Sequence, residues 1–156
     1  MRVQMIAITP YSIFKKILYC TDYSINAERA FEFACSLAAG EDSTLFLMNV
    51  VVPFHLMGVP DGAIPSEVEV IEQSRQESEK RLQTEYEDIC GKNVRARKIV
   101  RAGREYQEII SFAKEEKVDL IVVGTHGNTG MGHVLLGSVA EKVVQNSTIP
   151  VLVIPS

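Results

Sequence analysis

Apolar residues occur along this chain in short runs that alternate with longer, amphipathic stretches. The runs predict five strands at residues 17–21, 44–52, 94–101, 120–123 and 151–154. The stretches between them predict four helices, at residues 24–40, 66–90, 105–116 and 138–145. Strict alternation of strand and helix favours an α/β fold in which a parallel sheet lies between two layers of helices.

The first predicted helix shows the clearest periodicity. Ser24 is a suitable N-cap, and Gly40 is a suitable residue to end the helix. Its apolar face repeats at Ala27, Ala30, Phe31, Ala34, Leu37 and Ala38. The strand at residues 44–52 is almost continuously apolar, which is typical of a central strand covered by helices on both faces.

The third and fifth predicted strands differ in charge. Arg95, Arg97 and Arg101 lie on one side of the third strand, as expected at a sheet edge that must not pair further. The fifth strand, Val151–Ile154, follows Pro150 and carries no charge. The same principle makes an exposed edge of this composition an aggregation hazard, so the pattern predicts that a second chain covers it.

Composition restricts the class of protein. A chain of 156 residues with 46% hydrophobic and 23% charged residues fits one globular domain over residues 1–156. The net charge of −4 argues against a nucleic-acid partner. No stretch has the ~18 apolar residues of a membrane span, and no secretory signal is evident, so we expect no membrane partner and a cytoplasmic location. Cys20, Cys35 and Cys90 form no metal-binding motif and are predicted to be reduced thiols.

Candidate chemistry follows the fourth strand, in a glycine-rich segment that starts at Gly124 and leads to Gly137 and Ser138 at a helix start. Glycines let the backbone approach a ligand and turn its N–H groups towards phosphate oxygens. A helix N-terminus at Ser138 adds further N–H donors and the positive end of the helix dipole. The alternative is an ordinary glycine-rich loop in which Ser138 is a simple N-cap.

The spacing Gly124-x2-Gly127-x9-Gly137-Ser138 resembles the nucleotide-binding signature of the universal stress protein family, in its ATP-binding branch. Residues 16–24 resemble the opening strand and its Asp-containing turn, residues 136–143 the last helix, and residues 150–154 the closing strand. The resemblance implies a Rossmann-like open five-stranded parallel sheet in the order 3-2-1-4-5. It also implies a homodimer, which the uncharged strand Val151–Ile154 would form.

The resemblance further implies roles for individual residues. Those implied to hold the phosphates and ribose are Gly124, Thr125, His126, Gly127, Asn128, Thr129, Gly130, Gly137, Ser138 and Val139. Asp22 would lie beside the nucleoside, and Cys20 and Val50 would contact the adenine. In open α/β sheets, ligands bind at the carboxyl ends of strands where the strand order reverses, which is where Asp22 and Gly124 fall. The alternative for Asp22 is a turn-forming role, and Asn49 stands where family members often have His.

Two classes of function follow. The first is a nucleotide-dependent regulatory or stress-response module that binds ATP, with Mg²⁺ or Mn²⁺ as the candidate companion ion. The second is a slow ATPase or nucleotide-transferring enzyme of the same fold. We favour binding, and assign no catalytic residue, because the chain has no GxxxxGK[ST] loop and no clear catalytic base. The segment at residues 53–65 is a candidate lid or binding surface, or a plain connection.

Overall fold

A computed structural model describes residues 14–39, 42–53, 57–58, 67–86, 94–125 and 136–155. The strands are β1 (Lys16–Cys20), β2 (Thr44–Val51), β3 (Arg95–Ala102), β4 (Leu120–Gly124) and β5 (Val151–Ile154). The helices are α1 (Ile25–Leu37), α2 (Glu67–Glu85), α3 (Glu105–Glu115) and α4 (Ser138–Asn146). All strand pairs are parallel and the order is β3-β2-β1-β4-β5, which confirms the predicted fold class.

The sheet buries both of its faces, and alternate residues of each inner strand point to opposite layers. On one face, β1 and β2 contribute Ile17, Tyr19, Leu45 and Leu47, which pack against α1 and α2. On the other face, Leu18, Phe46 and Met48 pack with residues of α3 and α4. This double burial explains why β1, β2 and β4 are nearly continuous apolar runs.

The distribution of helices over the two faces leaves a crevice at the carboxyl ends of β1 and β4. The chain moves outward from β1 through β2 to β3 with its helices on one face, and from β4 to β5 with a helix on the other. The backbone leaving β1 therefore turns to one side of the sheet, and the backbone leaving β4 turns to the other. The carboxyl ends of β1 and β4 lie side by side at this crevice, with Tyr19 in register with Val122.

Aromatic side chains anchor each layer. Tyr19, Phe31 and Tyr86 form a cluster between β1, α1 and the end of α2, with ring centroids 4.7 to 6.1 Å apart. On the opposite face the rings of Phe46 and Phe112 meet edge to face at 5.3 Å. Such pairs add roughly 0.5–1.5 kcal/mol each beyond the apolar area they bury.

The edge position predicted for β3 is confirmed, and its arginines also cover the core. The guanidinium of Arg97 lies 5.4 Å from the ring centre of Phe46, and that of Arg101 lies 5.1 Å from the ring centre of Phe112. Arg101 also pairs with Glu115 and Glu108, and its hydrogen bond to Glu115 is the main cause of the lowered pKa of that carboxyl. These arginines therefore combine protection of the edge with packing of their stems on the aromatic rings.

Several local predictions needed correction. Ser24 is the N-cap of α1, but its side chain makes no capping hydrogen bond. The helix ends with Ala38 as its C-cap, and the predicted terminator Gly40 lies outside the described residues. Cys20 is a free thiol as predicted, but Cys35 is in a disulfide. Separation along the sequence does not report the distance between two cysteines, so the prediction of three reduced thiols was wrong for Cys35.

A carboxylate at the start of β4 ties this strand to β1. The Oδ2 atom of Asp119 accepts hydrogen bonds from the backbone N–H groups of Lys15 and Lys16, at 2.9 and 2.8 Å. The Asp119 N–H donates in turn to the carbonyl of Lys16 at 2.8 Å. The side chain therefore helps to set the register of the β1–β4 pair, at whose other end the candidate site lies.

Replacing Asp119 with Ala removes the acceptor of two backbone donors. We expect the free energy of unfolding to fall by about 1–2 kcal/mol, measured by chemical denaturation. Asp119→Asn is the matched control, because its amide oxygen still accepts a hydrogen bond, and its loss should be smaller. An Ala variant as stable as the wild type would show that the carboxylate does not support this strand pair.

Candidate functional site

The two ends of the glycine-rich segment meet at the carboxyl end of β4. The N–H of Gly137 donates to the carbonyl of Thr125 at 2.5 Å, and the N–H of Thr125 donates to the carbonyl of Ile154 at 2.9 Å. Gly124, Thr125, Gly137 and Ser138 therefore lie close together. The predicted contacts His126, Gly127, Asn128, Thr129 and Gly130 lie outside the described residues.

The N-terminus of α4 opens at this point. Gly137 is the N-cap, with an extended φ of −68° and ψ of 153°, and Ser138 is the first helical residue. Ser138 is exposed, and the N-cap residue Gly137 has no side chain with which to cap the helix. The first backbone N–H groups of a helix lack partners within the helix, so this end provides hydrogen-bond donors and positive potential for an anion.

The turn between β1 and α1 forms the opposite side of the candidate site. The N–H of Thr21 donates to the carbonyl of Met48 at 2.9 Å, so the pairing of β1 with β2 continues into the turn. The side chain of Asp22 is exposed, and its Oδ1 accepts the N–H of Ser24 at 3.0 Å. Asp22 therefore has the turn-forming role that the sequence left open, and contact with a nucleoside is an additional proposal.

Tyr23 follows in a strained backbone conformation. Its φ of 60° lies in the left-handed region, which is costly for a bulky residue. The hydroxyl donates to the Ser78 carbonyl at 2.9 Å, and the Arg81 guanidinium lies 3.9 Å from the ring centre. The N–H of Tyr23 donates to Oγ1 of Thr21 at 3.0 Å. These contacts join the turn to α2 and stabilise the left-handed residue.

Asn49 links the same turn to β2. Its Nδ2 donates to the Thr21 carbonyl at 2.8 Å, and its Oδ1 accepts the hydroxyl of Ser78 at 2.8 Å. The hydroxyl of Tyr86 lies 2.9 Å from Oγ1 of Thr21. We call the set Thr21, Tyr23, Asn49, Ser78 and Tyr86 the turn clamp, because it holds the turn that carries Asp22 from the α2 side.

Sequence reasoning did not assign the turn clamp. Its signal in the sequence is the polar Asn49 within an otherwise apolar strand, which the family resemblance marks only as a departure from the usual His. Asn49 supplies both a donor and an acceptor here, so it satisfies a backbone carbonyl and a hydroxyl in one position. Ser78 lies in α2 and Tyr86 directly follows it, and the helix predicted at residues 66–90 carries no pattern that indicates polar contacts with the β1–α1 turn.

The two residues predicted on the adenine side, Cys20 and Val50, share one apolar border with Val139, which is predicted to contact the phosphates and ribose. All three are partly buried and pack against the core between the sheet and the α3–α4 layer. Burial raises the pKa of the Cys20 thiol, so this side chain stays protonated and weakly nucleophilic at neutral pH. The border therefore offers neutral, apolar surface of the kind on which a flat base can pack.

In the part of the chain that the structure describes, no group of three or more His, Cys, Asp or Glu side chains is arranged to hold a metal ion. Among these same residues, no helix combines the length and the apolar character required to cross a membrane.

Comparison with known proteins identifies a family. The universal stress protein family matches residues 13–155 of the chain. The universal stress protein MJ0531 of Methanocaldococcus jannaschii is 34% identical over 144 residues, which cover 92% of this chain and 83% of the relative. The solved structure of the hypothetical protein MJ0577 superposes with a TM-score of 0.76 at 31% identity, over 91% of this chain and 96% of that one.

A more distant structure shares the fold. It is a universal stress protein family protein from Arabidopsis thaliana, solved with AMP bound. The TM-score is 0.61 at 22% identity, over 90% of this chain and 91% of that chain. At this identity the likeness demonstrates the common architecture alone.

Replacing Tyr23 with Phe tests the turn clamp. The variant loses the hydroxyl that meets Ser78, and we expect the free energy of unfolding at neutral pH to fall by about 1 kcal/mol. Burial is the main cause that raises the pKa of Tyr23 from 10.0 to about 12. The neutral hydroxyl therefore stabilises the fold fully below pH 10, and its contribution is lost as the pH rises through about 12.

The stability difference between wild type and Tyr23→Phe should accordingly be constant at neutral pH and shrink above pH 10, in denaturant titrations at several pH values. Tyr106→Phe is the control, because the Tyr106 hydroxyl meets only the neighbouring side chain of Gln107 among the described residues. Equal losses in both variants would contradict a specific role for the Tyr23 hydroxyl.

Proposed function

The chain belongs to the universal stress protein family, and from this premise we propose that it binds ATP as a nucleotide-dependent regulatory or stress-response module. The observation that carries the proposal is the hydrogen bond from Gly137 to Thr125. It brings the ends of the glycine-rich segment to the N-terminus of α4, beside the carboxyl end of β1. This is the position at which open α/β sheets bind nucleotides.

The proposed contacts are those that the family resemblance implies. The phosphates and ribose are held by Gly124, Thr125, His126, Gly127, Asn128, Thr129, Gly130, Gly137, Ser138 and Val139. The adenine lies on the border formed by Cys20 and Val50, with Asp22 beside the nucleoside. A Mg²⁺ or Mn²⁺ ion would enter with the phosphates, since such ions are commonly bound through phosphate oxygens and one or two carboxylates. The AMP-bound relative shows that a protein of this fold can hold an adenine nucleotide.

We propose binding in preference to turnover. Phosphoryl transfer to water needs a group that orients the water, usually together with a carboxylate-held metal ion. Asp22 is the one acid that the sequence places beside the nucleoside, and its Oδ1 atom already accepts the N–H of Ser24. The second candidate function, a slow ATPase or nucleotide-transferring enzyme, depends on a partner or on residues that the sequence does not identify.

Calorimetric titration with ATP tests the site. Gly127→Val should obstruct the phosphates and abolish measurable binding, because a β-branched side chain blocks close approach of the backbone. Ser138→Ala should weaken binding by up to about 1.5–3 kcal/mol, the value of one hydrogen bond to a charged group. Ser36→Ala is the matched control, since it removes an exposed helical hydroxyl from α1 that donates only to the Glu32 carbonyl among the described residues. Undiminished affinity in a folded Gly127→Val protein would rule out this site.

Phosphate release from the same samples separates the two functions. Binding without sustained release is expected for the regulatory module. Multiple-turnover hydrolysis that persists through purification and disappears in Asp22→Asn would favour the enzyme instead.

We also propose a homodimer that forms through β5. This strand is one edge of the sheet and consists of four apolar residues, three of which are only partly buried in the single chain. The other edge, β3, carries arginines that are engaged with aromatic rings and glutamates. A two-fold axis beside β5 would cover its unpaired backbone groups with the same strand of a second copy.

Changing Val153 to Lys should shift the proposed dimer towards monomer in light scattering at micromolar concentration, because a charge would then lie in the apolar contact. Val144→Lys is the matched control, since Val144 is already 45% exposed on α4. A thermal melt verifies that each variant is folded. A monomeric wild type, or a Val153→Lys variant as dimeric as the control, would exclude this interface.

A further inference from the structure

A small pocket lies between the N-termini of α3 and α4, beside the end of β2. Its volume is about 150 Å³. Val52 lines it from the residue that follows β2, Arg104 and Tyr106 from the start of α3, and Ser138, Val139 and Lys142 from α4. Ser138 and Val139 also belong to the proposed nucleotide site. The pocket therefore shares two residues with that site and extends from them towards α3.

Within the ranges that the structure describes, two cations of the pocket have no acidic partner. Among the described residues, neither Arg104 nor Lys142 lies within 4.0 Å of a carboxylate oxygen, whereas Arg97 and Arg101 on β3 are paired with glutamates. The Nζ of Lys142 lies 5.6 Å from the ring centre of Tyr106, which keeps the ammonium on the pocket side of α3. Both cations are exposed and available to a ligand.

Backbone charge adds to the positive potential. Arg104 is the N-cap of α3, and α4 begins at Ser138, so two helix N-termini open on one pocket. Each end carries about +0.5 of an elementary charge. Among the described residues that line the pocket, Glu105 is the one acid, so Arg104, Lys142 and Glu105 together give this lining a formal charge of +1. A ligand with several negative charges suits this arrangement better than a neutral one.

The spacing on α4 relates the pocket to the phosphate chain. Lys142 follows Ser138 by four residues, which is one helical turn and a rise of about 6 Å on the same face. Long side chains on a helix lean towards its N-terminus, so Lys142 extends from the next turn towards Ser138. A phosphate bound at Ser138 therefore has Lys142 on its α3 side and Arg104 across the pocket.

We propose that Arg104 and Lys142 bind the outer phosphates of the nucleotide and so make this chain select nucleoside triphosphates over monophosphates. The inference rests on the proposed nucleotide function and specifies its ligand. Ser138 contributes to binding of the phosphate chain, and the pocket beside it adds two cations for the outer phosphates. Selectivity then arises from two cations that the glycine signature does not contain.

The experiment is a calorimetric titration series with adenosine, AMP, ADP and ATP, without divalent cations so that the phosphate charge is not masked. The variants are Arg104→Gln and Lys142→Gln. Each has a matched control that removes the same charge elsewhere: Arg95→Gln at the amino end of β3, and Lys114→Gln in the last turn of α3. Thermal melts verify that all four are folded.

Each pocket variant should lower the ratio of ATP to AMP affinity by about 2–5-fold, the range of an exposed ion pair. Adenosine affinity should stay the same, and the control variants should keep the wild-type ratio. A second measurement needs no variant: the wild-type affinity for ATP should fall more steeply with sodium chloride than the affinity for AMP, because more charge is neutralised.

The outcomes separate this inference from the proposed function. If the wild type binds none of the four ligands, both proposals fail. If it binds AMP and ATP but the ratio is unchanged in both pocket variants, only the selectivity inference fails. A loss of adenosine affinity as large as the loss for ATP would show that Arg104 and Lys142 contact the nucleoside, and would also overturn the selectivity inference.

Discussion

The pairing of β1 with β4 at the centre of the sheet is the interaction on which the rest of the structure depends. Strands on one side of this pair are connected through α1 and α2, and those on the other side through α3 and α4. Because parallel strands require crossovers of one hand, the two sets of helices must cover opposite faces. The segments that follow β1 and β4 then turn to opposite faces of the sheet, and the crevice between them lies at the carboxyl ends of these two strands. At the opposite end of the pair, the backbone N–H groups of Lys15 and Lys16 donate to the Asp119 carboxylate and stabilise the two strands against each other.

The two sides of the candidate site are stabilised in different ways. The β1–α1 turn is held by side-chain hydrogen bonds from Asn49, Ser78 and Tyr86, which support a left-handed residue at Tyr23. That backbone conformation costs of order 1–3 kcal/mol and persists only where the surroundings maintain it. The opposite side depends on backbone contacts, from Gly137 to Thr125 and from Thr125 to Ile154. One side is therefore preorganised by α2, and the other is connected directly to the edge strand proposed for dimerisation.

The architecture could be predicted from the sequence because each element depends on a periodic pattern. Continuous apolar runs required strands buried on both faces, and the face of α1 at Ala27, Ala30 and Ala34 required a helix. The strand order came from the family resemblance. Side-chain contacts between distant elements were not predictable in this way. Ser24 has the composition of a cap, yet its hydroxyl is buried without a hydrogen-bond partner among the described residues, while its N–H is held by Asp22.

Contacts between distant elements also explain why the sequence did not indicate the two pocket cations. Arg104 follows β3 and Lys142 lies on α4, and their proximity exists only after α3 and α4 have packed side by side. Net charge does not indicate a positive pocket, because it is −4 for the chain as a whole. Charges act over a Debye length of about 8 Å at physiological ionic strength, so local distribution decides what a site attracts.

On α2 the cations Arg75 and Arg81 are paired with glutamates one turn away, and on β3 Arg97 and Arg101 are paired with glutamates at or after the end of α3. Arg104 and Lys142 have no such carboxylate among the described residues, so an acidic protein retains a positive pocket at the edge where its nucleotide site is proposed.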